Sequence, residues 1–266
     1  MKRKLLIVCA FAGMGTLVNA QTTMVKNERG EVVTPEAGDW ALGADATPIL
    51  GYIGNMFNGT SNNTVGNAFT GTNNAIFGKY FKDENTAYRA SFRLTTISNK
   101  VANLTDTSST TTPSYITDET KTTGLGFYLS GGIEKRRGHG RLQGYYGAEI
   151  GLGFGGTPTV TNTWGNALSA TNTGDRLLKN KTGATFTVGL RGFVGVEYFV
   201  LPKLSLGGEF GWGLKLSTTG EGSEDRETWN VVDSKIETYT KTTGKASSFG
   251  FGTDNFGGSF RIMYHF

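Results

Sequence analysis

With 266 residues, 26 basic and 22 acidic side chains and a single cysteine, the chain lacks both the strong basicity of a nucleic-acid binder and the cysteines of a disulfide scaffold. Forty Gly, 17 Phe and 10 Tyr against 5 Pro suit glycine-spaced, aromatic-rich strands. No apolar run after residue 20 is long enough for a membrane helix, a test that strands escape because half of each strand faces away from lipid.

Residues 1–20 read as a secretory signal peptide: basic Lys2-Arg3-Lys4, an apolar run from Leu5 to Leu17, and the small-residue exit Val18-Asn19-Ala20. Cleavage is expected after Ala20. It leaves 23 basic against 22 acidic residues, a net charge of +1, so the basic isoelectric point owes much to the leader and no nucleic-acid partner is expected. Cys9 goes with it. Residues 21–38 form a polar leader without periodicity, expected in the periplasm.

From residue 39 onward eight segments alternate with a period of two, the mark of a strand with one apolar face. They are 39–47 (Trp40, Leu42, Ala44), 74–81 (Ile76, Tyr80, the weakest), 86–97 (Tyr88, Phe92, Leu94) and 122–135 (Leu125, Phe127, Leu129, Ile133). The other four are 141–155 (Leu142, Ile150, Leu152), 183–199 (Phe186, Leu190, Val196), 203–217 (Leu204, Phe210, Trp212) and 256–266. The last alternates back from its end through Phe266, Tyr264, Ile262, Phe260, Gly258 and Phe256, with Met263 on the opposite, more tolerant face.

The connections alternate in length. Residues 82–85, 136–140 and 200–202 are tight turns, whereas 48–73, 98–121, 156–182 and 218–247 are long stretches of Thr, Ser, Asn and Gly, expected to be structureless and dispensable for folding. A terminal aromatic closing an alternating strand resembles the family of bacterial outer-membrane β-barrels. The stretch Gly78-Lys79-Tyr80-Phe81-Lys82-Asp83-Glu84-Asn85-Thr86-Ala87-Tyr88-Arg89 resembles the strand–turn–strand element of small Bacteroidota barrels. The resemblance implies an OmpA/OmpX-type domain over 39–266: an all-β, eight-stranded, antiparallel up-and-down transmembrane β-barrel, with short periplasmic turns and long extracellular loops. It also implies outer-membrane lipids as surroundings and a barrel-assembly machinery that reads Phe266, Tyr264, Ile262 and Phe260. It implies no ligand.

Counted from the short turns, Asp45, Arg93, Glu149, Arg191, Glu209 and Arg261 fall at similar heights on the lumen face of six strands. Arg89, Glu134 and Glu197 form a second layer. Eight strands leave an interior just wide enough for side chains, so balanced charges there predict an ion-paired plug. Lumen glycines, among them Gly147, Gly151 and Gly195, leave room for Tyr128, Tyr145 and Phe193 to lie over them. Trp40, Tyr198, Trp212, Tyr264 and Phe266 near strand ends suit interface girdles.

The two histidines, His139 and His265, fall at the periplasmic rim, leaving no base for a nucleophile at the outer rim. Glu221, Glu224 and Asp225 read as a solvated acidic loop. No catalytic, cofactor or metal site is expected. The expected function is a structural or surface-interaction scaffold, with an extracellular ligand at the loops as a possibility. The alternatives are a pore or transporter for small solutes or apolar compounds, and a soluble secreted barrel of lipocalin type.

Overall fold

The structure is a computed structural model and describes residues 25, 26, 28, 30–46, 76–106, 114–138, 140–253 and 259–266. The expected signal peptide, the connection 48–73, His139 and the Phe256–Gly258 start of the last segment lie outside the described residues. Regular structure among the described residues is all strand: β1 (Trp40–Asp45), β2 (Ile76–Asp83), β3 (Thr86–Asp106), β4 (Tyr115–Arg137), β5 (Leu142–Thr163) and β6 (Asp175–Lys181), followed by β7 (Thr185–Leu201), β8 (Leu204–Thr219), β9 (Gly222–Asn230), β10 (Lys235–Thr243), β11 (Ala246–Thr253) and β12 (Ser259–His265).

Eight of these close into an antiparallel ring, in the order β1-β2-β3-β4-β5-β7-β8-β12 and back to β1. They correspond one for one to the eight alternating segments. Closure runs through Ala41↔His265 to Asp45↔Arg261, and the end of the chain is tied in by reciprocal bonds between Trp40 and Phe266 (2.9 and 2.8 Å). A closed ring leaves no unpaired edge at this seam.

The three tight turns lie at one end. The Asp83 carboxylate accepts from the Asn85 amide at 2.9 Å, and Gly140 takes a φ of +83° that an L side chain rarely adopts. Residues 30–38 fold against this same end. Val33 is 1% exposed and donates its amide to Val25, and the leader borders a cavity of about 430 Å³ beside Pro202, Lys203 and His265.

The long connections depart from expectation. β3 and β4 stay in register up to Asp106↔Tyr115, well into the stretch read as loop. β6, β9 and β10 form an outer sheet joined to β5 through Thr159–Thr161, and β11 continues along β8 above β12. Composition argued against apolar burial here, but these ladders use cross-strand polar pairs instead. Lys100 meets Glu119 at 2.8 Å, Thr120 bonds Asn162 at 3.0 Å, and Thr240 bonds Asp225 at 2.8 Å. The acidic run 221–225 is likewise no free loop, since Glu224 and Asp225 sit in β9 beside Arg226.

Candidate functional site: a charged network across the ring

Strand alternation decides what enters the ring. Along β7 the even-numbered side chains Phe186, Leu190, Val194, Val196 and Tyr198 are exposed, while Arg191, Phe193 and Glu197 are buried. The same parity holds around the ring and sends a set of ionised side chains inward.

They meet in two tiers. In the first, Glu209 on β8, its side chain fully buried, accepts from three guanidiniums: Arg89 on β3 (2.7 and 3.2 Å), Arg191 on β7 (2.6 Å) and Arg261 on β12 (2.8 Å twice). Glu149 on β5 completes this tier, 3.2 Å from Arg89 and 3.3 Å from Arg191. In the second, nearer the tight turns, Glu134 and Glu197 share Lys79 (3.0 and 3.3 Å) and Arg136 (2.8 and 2.6 Å). Arg89 bridges the tiers at 3.7 Å from Glu134. With Asp45, buried opposite Arg261 in the β1–β12 ladder, five carboxylates meet five cations. The near balance matters, because an uncompensated charge taken out of water costs several kcal/mol.

Aromatic rings seal the gaps and add cation–π attraction. Arg261 lies 3.9 Å over Phe77, Arg89 3.9 Å over Phe193, and Lys79 4.7 Å over Tyr145. These rings need glycine beneath them. A Cβ at Gly147 would collide with the Ile133 carbonyl and reach 2.7 Å from Phe193, one at Gly151 would strike the Tyr128 hydroxyl, and one at Gly195 the ring of Tyr145. Gly147→Ala is therefore expected to lower stability by about 1–3 kcal/mol through overpacking against backbone. Gly208→Ala, with nothing within 4 Å, should be neutral or slightly stabilising. Urea titration of the two variants checks this, and equal midpoints would refute the packing.

Of the six residues expected at one height, Glu149, Arg191, Glu209 and Arg261 meet directly, and Asp45 stands in register with Arg261. Arg93 is half-buried with its guanidinium 5.3 Å over the Tyr128 ring, and Arg89, expected a layer lower, reaches Glu149 and Glu209. One inward step along a strand is about 6.6 Å, and ring strands are tilted and staggered, so equal counts from the turns do not give equal heights.

Lys79 and Arg136 are hubs that the sequence reading left out. Lys79 shares its inward parity with Phe77 and Phe81, so the alternation that placed Ile76 and Tyr80 outside already held the signal. The sequence places Arg136 in the 136–140 turn, but its ladder with Tyr145 keeps it in β4. The outward faces of Tyr264 and Phe266 agree with expectation, both being more than half exposed. Met263 does not: at 2% exposure it packs with Ala41, Phe77, Phe81 and Ala87, so its face is core and not tolerant.

His265 lies inside the ring, its Nε2 2.9 Å from Ser205 Oγ, while Ser205 donates to Glu197 at 2.6 Å. Serine, histidine and carboxylate thus come together in a place that sequence reasoning passed over. The hydroxyl proton is committed to Glu197, the imidazole lies between the tilted rings of Phe81 and Phe199 (5.6 and 5.1 Å), and Ser205 is fully buried. The trio closes the second tier by hydrogen bonding. Comparison with protein-family models, with curated proteins and with solved structures finds no match for this chain.

Proposed function

We propose that the ring is a transmembrane β-barrel of a bacterial outer membrane, reached after signal-peptide cleavage and assembly through its C-terminal strand. Its tight turns face the periplasm, its lumen is closed by the ion-pair network, and its role is that of a scaffold presenting the outer strands at the cell surface. This reading rests above all on one observation: the ring is apolar outside and charged inside. Leu42, Ile76, Leu94, Leu125, Ile150, Leu190 and Val196 all present more than half of their surface outward, far beyond what a water-facing monomer tolerates in one band.

The band has the right height. From Phe186 to Tyr198 the outward face of β7 runs about 40 Å along the strand, or roughly 30 Å along the axis at a tilt near 40°, close to the apolar belt of outer-membrane barrels. Beyond Leu94 and Leu125 the same faces turn to Thr96, Ser98 and Lys100 and to Thr123, Lys121 and Glu119. At the tight-turn end Trp40 and Tyr80 pack at 4.9 Å and Tyr264 stacks on Phe266 at 6.3 Å, as amphipathic rings at a lipid–water interface would. A lipocalin-type secreted barrel would carry its apolar face inward, the reverse of this arrangement.

The closed lumen is tested by electrical recording. Purified protein added to planar lipid bilayers is expected to be nearly silent, since side chains from seven strands meet across the first and second tiers. Arg191→Ala should raise leak currents. Steady, large single-channel currents from the unmodified protein would defeat the plug and favour a pore for small solutes.

A further inference from the structure

The outer sheet ends, among the described residues, on an open edge. Among the described residues β10 pairs with β9 on one side and with no strand on the other. Its nine residues run in unbroken register with β9, without a bulge, and most of their side chains are exposed. Such an edge presents a row of unsatisfied backbone N–H and C=O groups, a template for a further strand unless its side chains forbid pairing.

Lys235 already meets Asp233 and Glu237 of its own chain at 3.2 and 3.4 Å, whereas Lys241 would oppose most partners, because lysine on an edge needs an opposite charge across the ladder. We propose that the partner is β10 of a second copy of this chain, paired antiparallel about Tyr239. In that register all nine residues are matched, Lys235 with Thr243 through Tyr239 with Tyr239. Glu237 of each copy faces Lys241 of the other, giving two opposite-charge pairs on one face.

The neighbouring registers fail. A shift of two residues one way sets Lys235 across from Lys241, and a shift the other way leaves Glu237 across from Thr243 and Lys241 across from Tyr239. A one-residue shift puts Glu237 against Thr240 or Thr242. A parallel arrangement brings like charges together at Lys235, Glu237 and Lys241. The charge pattern of β10 therefore selects its own antiparallel image. Glu237 is pre-set for the contact, with Asn230 donating to its carboxylate at 2.9 Å, and Tyr239 is anchored by its hydroxyl to Asp175 at 3.0 Å. A nine-residue contact is small, so the dimer belongs to the weak, concentration-dependent class.

The test is disulfide trapping in detergent micelles, where two copies can meet in either orientation whether or not they share a membrane. In the chain from Gln21 onward, which has no cysteine of its own, Tyr239→Cys places two sulfurs across the two-fold, where paired Cα atoms stand about 4.5–5.5 Å apart, within disulfide reach. Lys235→Cys serves as control, since its two copies would lie about 26 Å apart. Under mild oxidation Tyr239→Cys should form dimer at least ten-fold faster than Lys235→Cys. Adding Glu237→Lys or Lys241→Glu should slow it several-fold, and combining both should restore the rate. Equal rates for the two cysteine positions, or a double charge swap no better than the singles, would overturn the proposal. Sedimentation of the same charge variants without cysteines gives an independent reading: dimer lost in each single swap and regained in the double supports it, and unchanged association in all three refutes it.

Discussion

Truncating Glu209 to alanine is expected to destabilise the folded ring by about 3–5 kcal/mol, more than the loss of any other single interior carboxylate. Glu209 is the common acceptor of Arg89, Arg191 and Arg261, and its side chain is completely buried. Removing it leaves three guanidiniums facing one another with Glu149, Asp45 and, 3.7 Å from Arg89, Glu134 to balance them, and like charges this close repel strongly where water is scarce. Glu149→Ala should cost less, because its contacts are longer (3.2 and 3.3 Å) and its side chain is 10% exposed. Glu224→Ala, in a surface pair of the outer sheet 3.5 Å from Arg226, should change stability by about 1 kcal/mol or less. Urea midpoints of the folded form in detergent, read by gel mobility, rank the three. A Glu209→Ala midpoint indistinguishable from that of Glu224→Ala would mean that water screens the network.

Met263→Ala is the second large effect, expected at about 2–5 kcal/mol. The side chain fills the space between Ala41, Phe77, Phe81 and Ala87 just where β12 closes the ring onto β1, and a Cβ added at Gly43 would come within 2.6 Å of its Cγ. A cavity there loosens the seam that completes the ring. Met263→Leu keeps the volume and should cost less than about 1.5 kcal/mol. The same urea titration separates the pair, and a silent Met263→Ala would show that this face of β12 is not packed.

The ring strands were legible because all but the weakest, β2, carry a clear period-two pattern of apolar residues, as in Leu142, Ile150 and Leu152 or Phe186, Leu190 and Val196. Such a pattern has one physical reading when one face is apolar and the other polar. The three tight turns were legible from Lys82-Asp83-Glu84-Asn85, Arg136–Gly140 and Val200-Leu201-Pro202, although Arg136 itself belongs to β4. The outer strands were not. Their ladders pair Thr with Asn or Asp and Lys with Glu, so no apolar stripe announces them, and only the partner strand makes the pairing visible.

The interior was half legible. Alternation gives the face of every charge, which is why Glu149, Arg191, Glu209 and Arg261 could be grouped. Height depends on tilt and stagger, which one strand cannot report, and so Arg89 and Arg93 exchanged places. Lys79 fell out because β2 is short and its alternation weak. His265 and Ser205 fell out because a polar residue beside a turn is usually wet, whereas the Val33 leader segment and the rings of Phe81 and Phe199 close this end.

The proposed membrane barrel is tested most directly by the lipid dependence of folding. Protein unfolded in urea is diluted either into lipid vesicles or into buffer alone, and the folded form is scored by its shifted mobility on unheated gels. With so many apolar side chains facing outward, folding should succeed with vesicles and give only aggregate without them. A monodisperse, folded monomer in buffer without lipid or detergent would contradict it.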